Sequence, residues 1–369
     1  MQREARVTSP AARETSVTVA GREGATQELS RVWGGVGFDW VMAVLSAVFV
    51  GGLFLDGWAH THGRLDQSFF TPWHAVFYAG YAAVAAALVA LLLRNHARGY
   101  PWERALPPGY GLSLLGALVF ALGGAGDLIW HTLFGIEAGV EALLSPTHLA
   151  LALGLGLIAS GPVRAAWHRP EPVSGWAGQE PMLLALTVTL SILTFFTEYA
   201  HPIVYAAAGA GHPYGGSEGL GVASILLQTV MLMGTILLVV RFGTLPAGAL
   251  TLMVTLNAAA MGLLTFHGAY PMTLVIAAGA SGLLADLLRA RLRPMAGRPA
   301  AWRLFAFVVP AVFYFCYFLG LRVTEGIAWS VHLWAGSIML AGLTGWLLSY
   351  LVLPSRSSEV SRGGVGEAR

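Results

Sequence analysis

Apolar residues in this chain run in long stretches broken by short polar ones. Ten stretches stand out: residues 37–59, 72–93, 109–133, 146–167, 181–200, 220–240, 245–266, 271–288, 301–321 and 327–353. A membrane span needs about 20 mostly apolar residues. Lipid holds no water to satisfy the backbone, so only helices or closed barrels cross it. The stretches lack the period-two alternation of a barrel strand. The pattern therefore predicts an all-α, polytopic membrane helix bundle with about ten transmembrane helices.

Composition strengthens that reading. The chain is 56% hydrophobic and 11% charged, where soluble domains carry about 25% charged residues. The net charge of +2 and the absence of basic runs interleaved with aromatics exclude a nucleic-acid partner. The single cysteine, Cys316, lies within an apolar run. It can form no internal disulfide and reads as a small packing hydrophobe. Residues 1–35 and 354–369 are polar and read as cytoplasmic tails, the first of them disordered. Between them lie a four-span region, 36–168, and a six-span region, 181–353.

The chain has no lysine, so arginine sets the orientation. Arg94, Arg98 and Arg104 follow the second span, Arg164 and Arg169 the fourth, Arg241 the sixth, and Arg289, Arg291, Arg293, Arg298 and Arg303 the eighth. The opposite loops hold only Arg64 and Arg322. The positive-inside rule then places both termini in the cytoplasm of a multi-pass plasma-membrane protein. Of eleven histidines, only His96 and His168 fall on the inner side. The rest gather with most of the acids near the outer ends of the spans.

One pattern within that outer set occurs twice. Asp56 and His60 close the first span, and Thr71-Pro72-Trp73-His74 opens the second. Asp127 and His131 close the third, and Ser145-Pro146-Thr147-His148 opens the fourth. This predicts a repeated helical hairpin. Residues four apart on a helix share a face, about 5–6 Å apart at Cβ, so each Asp–His pair can present two ligands together. Ser or Thr caps a helix and proline suits its first position. His74 and His148 would then project from a first turn, beside the preceding Asp–His pair. That cap accounts for the Ser/Thr-Pro pair but leaves the histidine unexplained. A buried charge pair or a proton relay also fits an Asp–His pair; a metal site is the reading we take forward. Two imidazoles and a carboxylate without thiolates suit copper(II), zinc or iron(II). His-Glu-x-x-His and Cys-x-x-Cys-His are both absent, which disfavours a zincin protease and excludes c-type haem.

Over residues 56–148 the motif resembles a metal-binding transmembrane component of the copper membrane monooxygenases, the particulate methane and ammonia enzymes. The resemblance implies copper at Asp56, His60 and His74, and a neighbouring site at Asp127, His131 and His148. It also implies oxygen chemistry on a small lipophilic substrate, with partner membrane subunits. The chain departs from that family by carrying Asp127 where the family has Asn. It has sixteen residues between His131 and His148, against thirteen between His60 and His74. It also has more spans.

Further candidates lie on the same side. Glu137 and Glu141 are placed to add ligands, and His62 and Asp66 to support them from behind or line an entry. Glu198, His201, His267, Glu325 and His332 are more distant in sequence. Arg322 and Glu325, three apart, are spaced to pair. Gln228 and Asn257 fall mid-span, as interhelical hydrogen-bond groups. The function expected is a copper-binding membrane protein, monooxygenase-like or a component of such an enzyme. Non-catalytic copper or zinc binding or transport, and an intramembrane zinc hydrolase, are the alternatives.

Overall fold

In the computed structural model the described residues are 34–64, 71–135, 137, 139–169, 175–211, 217–241, 245–265 and 270–353. They form α1 (Gly35–Thr61), α2 (Pro72–His96), α3 (Gly111–Phe134), α4 (Val140–Leu144), α5 (Pro146–Ala159) and α6 (Gly161–Trp167). There follow α7 (Trp176–Phe195), α8 (Glu218–Arg241), α9 (Ala249–Leu263), α10 (Tyr270–Leu292), α11 (Pro299–Thr324) and α12 (Val331–Val352). Among the described residues there is no strand, only an isolated bridge between Gly209 and Ile327. Asp66, His267 and both tails lie outside the described residues.

Each expected stretch falls on a helix, but not every one is a full span. Eight helices are long and apolar enough to cross a membrane. The fourth stretch is split into α5 and α6, which meet at 40°. The seventh, α9, has only 15 helical residues. The split follows from Pro162, which has no N–H for the helix ladder and crowds the preceding turn. The carbonyls there find other donors: Ser113 Oγ lies 3.2 Å from Leu157 O and 3.4 Å from Ile158 O, and Arg164 donates to Leu157 O at 2.7 Å. Freed backbone in lipid is tolerated on this condition. The apolar pattern puts the fifth stretch at 181–200. Its helix instead begins at Trp176 and ends at Phe195, followed by a 3-10 turn, Glu198–Ala200. Gln228 donates to Thr197 Oγ1 and to Ala200 O, holding that segment off the helix.

The helices pack around two hydrophobic centres. One gathers Phe49, Phe77, Phe120 and Leu155 from α1, α2, α3 and α5. The other gathers Met233, Trp302, Phe305 and Tyr314 from α8 and α11. α7 joins them, giving Ile192 and Phe195 to the first and Leu183 and Leu190 to the second. Asn257 ties α9 to α7 through Thr194 Oγ1 at 2.9 Å, the bridging role its mid-span position suggested.

Glycine sets the spacing in the first centre. A Cβ on Gly52 would stand 2.8 Å from Phe77 Cα, and one on Gly80 2.7 Å from Phe49 Cα. In the second hairpin a Cβ on Gly123 would meet Leu151, and one on Gly154 would stand 2.8 Å from Gly116 O. These contacts correspond in position. Gly52 and Gly123 each lie four residues before the aspartate, and Gly80 and Gly154 each lie six after the histidine. Matching residues also touch one another. The Phe49 and Phe120 rings are 5.0 Å apart, and Tyr110 donates to Asp39 Oδ1 at 2.6 Å.

Replacing Gly154 by valine forces α3 and α5 apart. It is expected to lower stability by about 1–3 kcal/mol, read as a lower thermal midpoint in detergent. Gly156→Val, at a position with nothing within 4 Å, is expected to leave the midpoint unchanged.

Candidate metal centre

The closely packed hairpins bring helix ends together. Thr71 caps α2, its Oγ1 accepting from His74 N at 3.2 Å, and Pro72 takes the first helical position. Ser145 caps α5 in the same way, accepting from His148 N at 3.3 Å. Each cap turns the first-turn histidine towards the last turns of the helix before it. Asp56, His60 and His74 accordingly form one group, and Asp127, His131 and His148 another. Within each group the ligand atoms lie within 4.8 Å of one another. Among the described residues these are the groups of three able to hold a metal ion.

In the first group, Asp56 Oδ2 is 3.9 Å from His60 Nε2 and 3.4 Å from His74 Nε2. Its Oδ1 is buried and has no hydrogen-bond partner. In the second, Asp127 Oδ2 is 3.4 Å from His131 Nε2, and Oδ1 is 3.7 Å from His148 Nε2. These separations exceed the 2.7–2.9 Å of a charge-assisted hydrogen bond. They approach the roughly 3.3 Å that separates donors sharing a tetrahedral ion at about 2.0–2.1 Å. Asp127 is 3% exposed, so the second group is the deeper one.

The second group is also the better supported. Thr147 donates to Asp127 Oδ1 at 2.8 Å, and Ser145 Oγ lies 2.6 Å from His148 Nδ1. Nδ1 of His131 faces two acceptors, Gly135 O at 3.1 Å and Glu137 Oε2 at 3.2 Å. That nitrogen must carry the proton. In the neutral ring the Nε2 lone pair then points at the Asp127 carboxylate, and only a cation between them makes the arrangement favourable. Glu137 thus acts on the far side of His131 and takes a second hydrogen bond from Trp130 Nε1.

The two groups are neighbours. Tyr78, one turn along α2 from His74, lies in electrostatic reach of both Asp56 and Asp127, and His148 in reach of His74. The hydroxyl of Tyr78 packs against Gly124, one turn before Asp127. Neither Tyr78 nor Thr147 is among the residues the sequence singles out. Thr147 sits inside the motif, between proline and histidine, and was legible there. Tyr78 had no signal beyond its spacing from His74.

The remaining candidates are placed elsewhere. Glu141 is exposed on α4. His62 stacks on Trp58 at 4.8 Å, with Nδ1 2.9 Å from Trp58 O, and joins neither group. Arg64 lies over the Trp58 and Trp73 rings beside it. Glu198 and His201 are at the end of α7, away from both groups, and His201 Nδ1 accepts from Ile203 N at 3.2 Å. Glu325 caps α11 with its Oε2 buried, and His332 is exposed on α12. The Arg322–Glu325 ion pair does not form, because Glu325 turns inward towards Gly209. An apolar groove of about 650 Å³ runs between α1, α7 and α9 past Phe54 and Trp58. At about 100° per residue, Asp56 and His60 leave the opposite side of α1, so the groove does not open on them.

The chain matches no family model, and no curated protein and no solved structure is significantly similar to it.

Burial pushes the Glu198 carboxyl up to about 7 and the His201 ring down to about 3. Between pH 4.5, the ordinary value, and about 7, folded Glu198 holds a proton that the unfolded chain has released. Stability therefore falls as pH rises through that window. Glu198→Gln removes the effect. Its thermal midpoint is expected to exceed that of the wild type at pH 8 and to equal it at pH 4.

Proposed function

We propose that the protein is an integral membrane metalloprotein in which Asp56, His60 and His74 hold one transition-metal ion and Asp127, His131 and His148 a second. The observation that carries this reading is the set of four Asp–His separations, 3.4 to 3.9 Å. They are too long for direct ion pairs and close to what a shared ion imposes. The orphaned Asp56 Oδ1 and the Nε2 lone pair of His131 support it.

Copper is the metal we assign. The donors are imidazole and carboxylate without thiolate, which suits copper(II) as well as zinc or iron(II). The resemblance of the motif to that of the copper membrane monooxygenases favours copper among the three. On this reading the protein is monooxygenase-like or a component of such an enzyme, with the centre on the outer face. The matching contacts of the two hairpins support their origin as copies of one unit. A small lipophilic substrate would reach the centre by a route other than the groove on the far side of α1.

The test is metal content by mass spectrometry on the detergent-purified chain. Two coppers per chain are expected. Asp56→Ala with His60→Ala is expected to lose one, Asp127→Ala with His131→Ala the other, and the combined variant both. Zinc lost in the same steps would replace the oxidoreductase reading with zinc binding or hydrolysis. Protein that holds no metal after reconstitution would overturn the assignment and leave two Asp–His pairs. Glu137→Gln is expected to weaken the second site about 10–100-fold and to leave the first unchanged, read by titration with a competing chelator.

A further inference from the structure

A pocket of about 370 Å³ opens between α11 and α12, well apart from the candidate metal ligands. Its walls are apolar and aromatic: Phe315, Phe318, Leu319, Trp329 and Trp334 among them. One charged side chain, Arg322, also lines it. The Phe318 ring lies 6.0 Å from Trp329 and 5.9 Å from Trp334, so the three form a continuous wall. Arg322 is exposed and has no ion pair among the described residues; Glu325, its neighbour one turn on, faces Gly209 instead.

The depth of this pocket follows from helix length. α11 has 26 residues and is about 39 Å long at 1.5 Å per residue, more than the hydrocarbon core of about 30 Å. Its ends therefore reach the headgroup layer, and Arg322 stands two residues before its last one. Trp329 and Trp334 sit at the same level, where tryptophan is favoured. Leu319 and Phe315 continue from Arg322 down one face of α11 at helical spacing, 54% and 55% exposed. The result is a single uncompensated cation at headgroup depth above an apolar track. Its complement is an anionic group joined to a hydrocarbon chain.

We propose that this pocket binds an anionic phospholipid, with Arg322 on the headgroup phosphate and an acyl chain along Leu319 and Phe315. Basic pockets between membrane helices recognise anionic headgroups in this way. The lipid would seal the outer seam between α11 and α12, where the chain passes through the bridge at Ile327 before re-entering the membrane.

The full-length protein, stripped of lipid in detergent, can be titrated with dioleoyl phosphatidylglycerol or dioleoyl phosphatidylcholine and followed by native mass spectrometry. One phosphatidylglycerol per chain is expected to bind in preference to phosphatidylcholine. Arg322→Gln is expected to weaken phosphatidylglycerol about fivefold and to leave phosphatidylcholine unchanged. Arg322→Lys keeps the charge and should keep most of the preference. Arg291→Gln, an exposed arginine at the end of α10, should bind as the wild type does. Equal binding of the two lipids by the wild type, or an unaltered preference in Arg322→Gln, would overturn the proposal.

Discussion

The close approach of paired helices in the first hairpins governs the candidate centre. Lipid provides no hydrophobic force between helices, so their association rests on van der Waals packing and interhelical hydrogen bonds. Gly52 and Gly80 let α1 and α2 touch backbone to side-chain base, and Gly116 and Gly154 do the same for α3 and α5. The ligands stand one or two turns from these crossings. A crossing opened by one methyl group would move the histidine at the head of one helix away from the aspartate near the foot of the other. Ligand geometry and helix packing are therefore a single property here.

The two groups are built alike and supported unequally. Asp127 is met by Thr147, His131 by Glu137 and Gly135, and His148 by Ser145. Asp56 retains a buried oxygen without a partner. Held ligands lose less freedom on binding an ion, so the second group is the more preorganised of the two. Tyr78 stands between them and is the one large polar side chain common to both environments.

Much of this architecture was legible because it depends on periodicity and local chemistry. Long apolar runs mark helices, and Ser/Thr-Pro marks where α2 and α5 begin, as Thr71 and Ser145 show by capping them. Asp–His spacing within a helix is a local matter too. What was not legible depends on the packing of distant segments. Gln228 reaches Thr197 and Ala200 and ends α7 early. Spacing pairs Glu325 with Arg322, three residues away, but Gly209 leaves room for it in the interior. Proximity in sequence suggests Glu137 as a ligand, yet it meets the opposite nitrogen of His131. Such outcomes are set by residues far along the chain, and helical spacing alone carries no information about them.

The short helix α9 bears on the surrounding bilayer. Its 15 residues extend about 22 Å, against a hydrocarbon thickness of about 30 Å. Leu252, Leu256 and Leu263 on it are exposed rather than packed, so part of this helix borders lipid. Hydrophobic mismatch of that size is relieved by local thinning or by tilt. Next to α9 the membrane is drawn in, while beside the 26-residue α11 it is not. The protein thus presents lipid with a thickness that varies around its perimeter, and that variation favours particular orientations of whatever membrane protein packs alongside it.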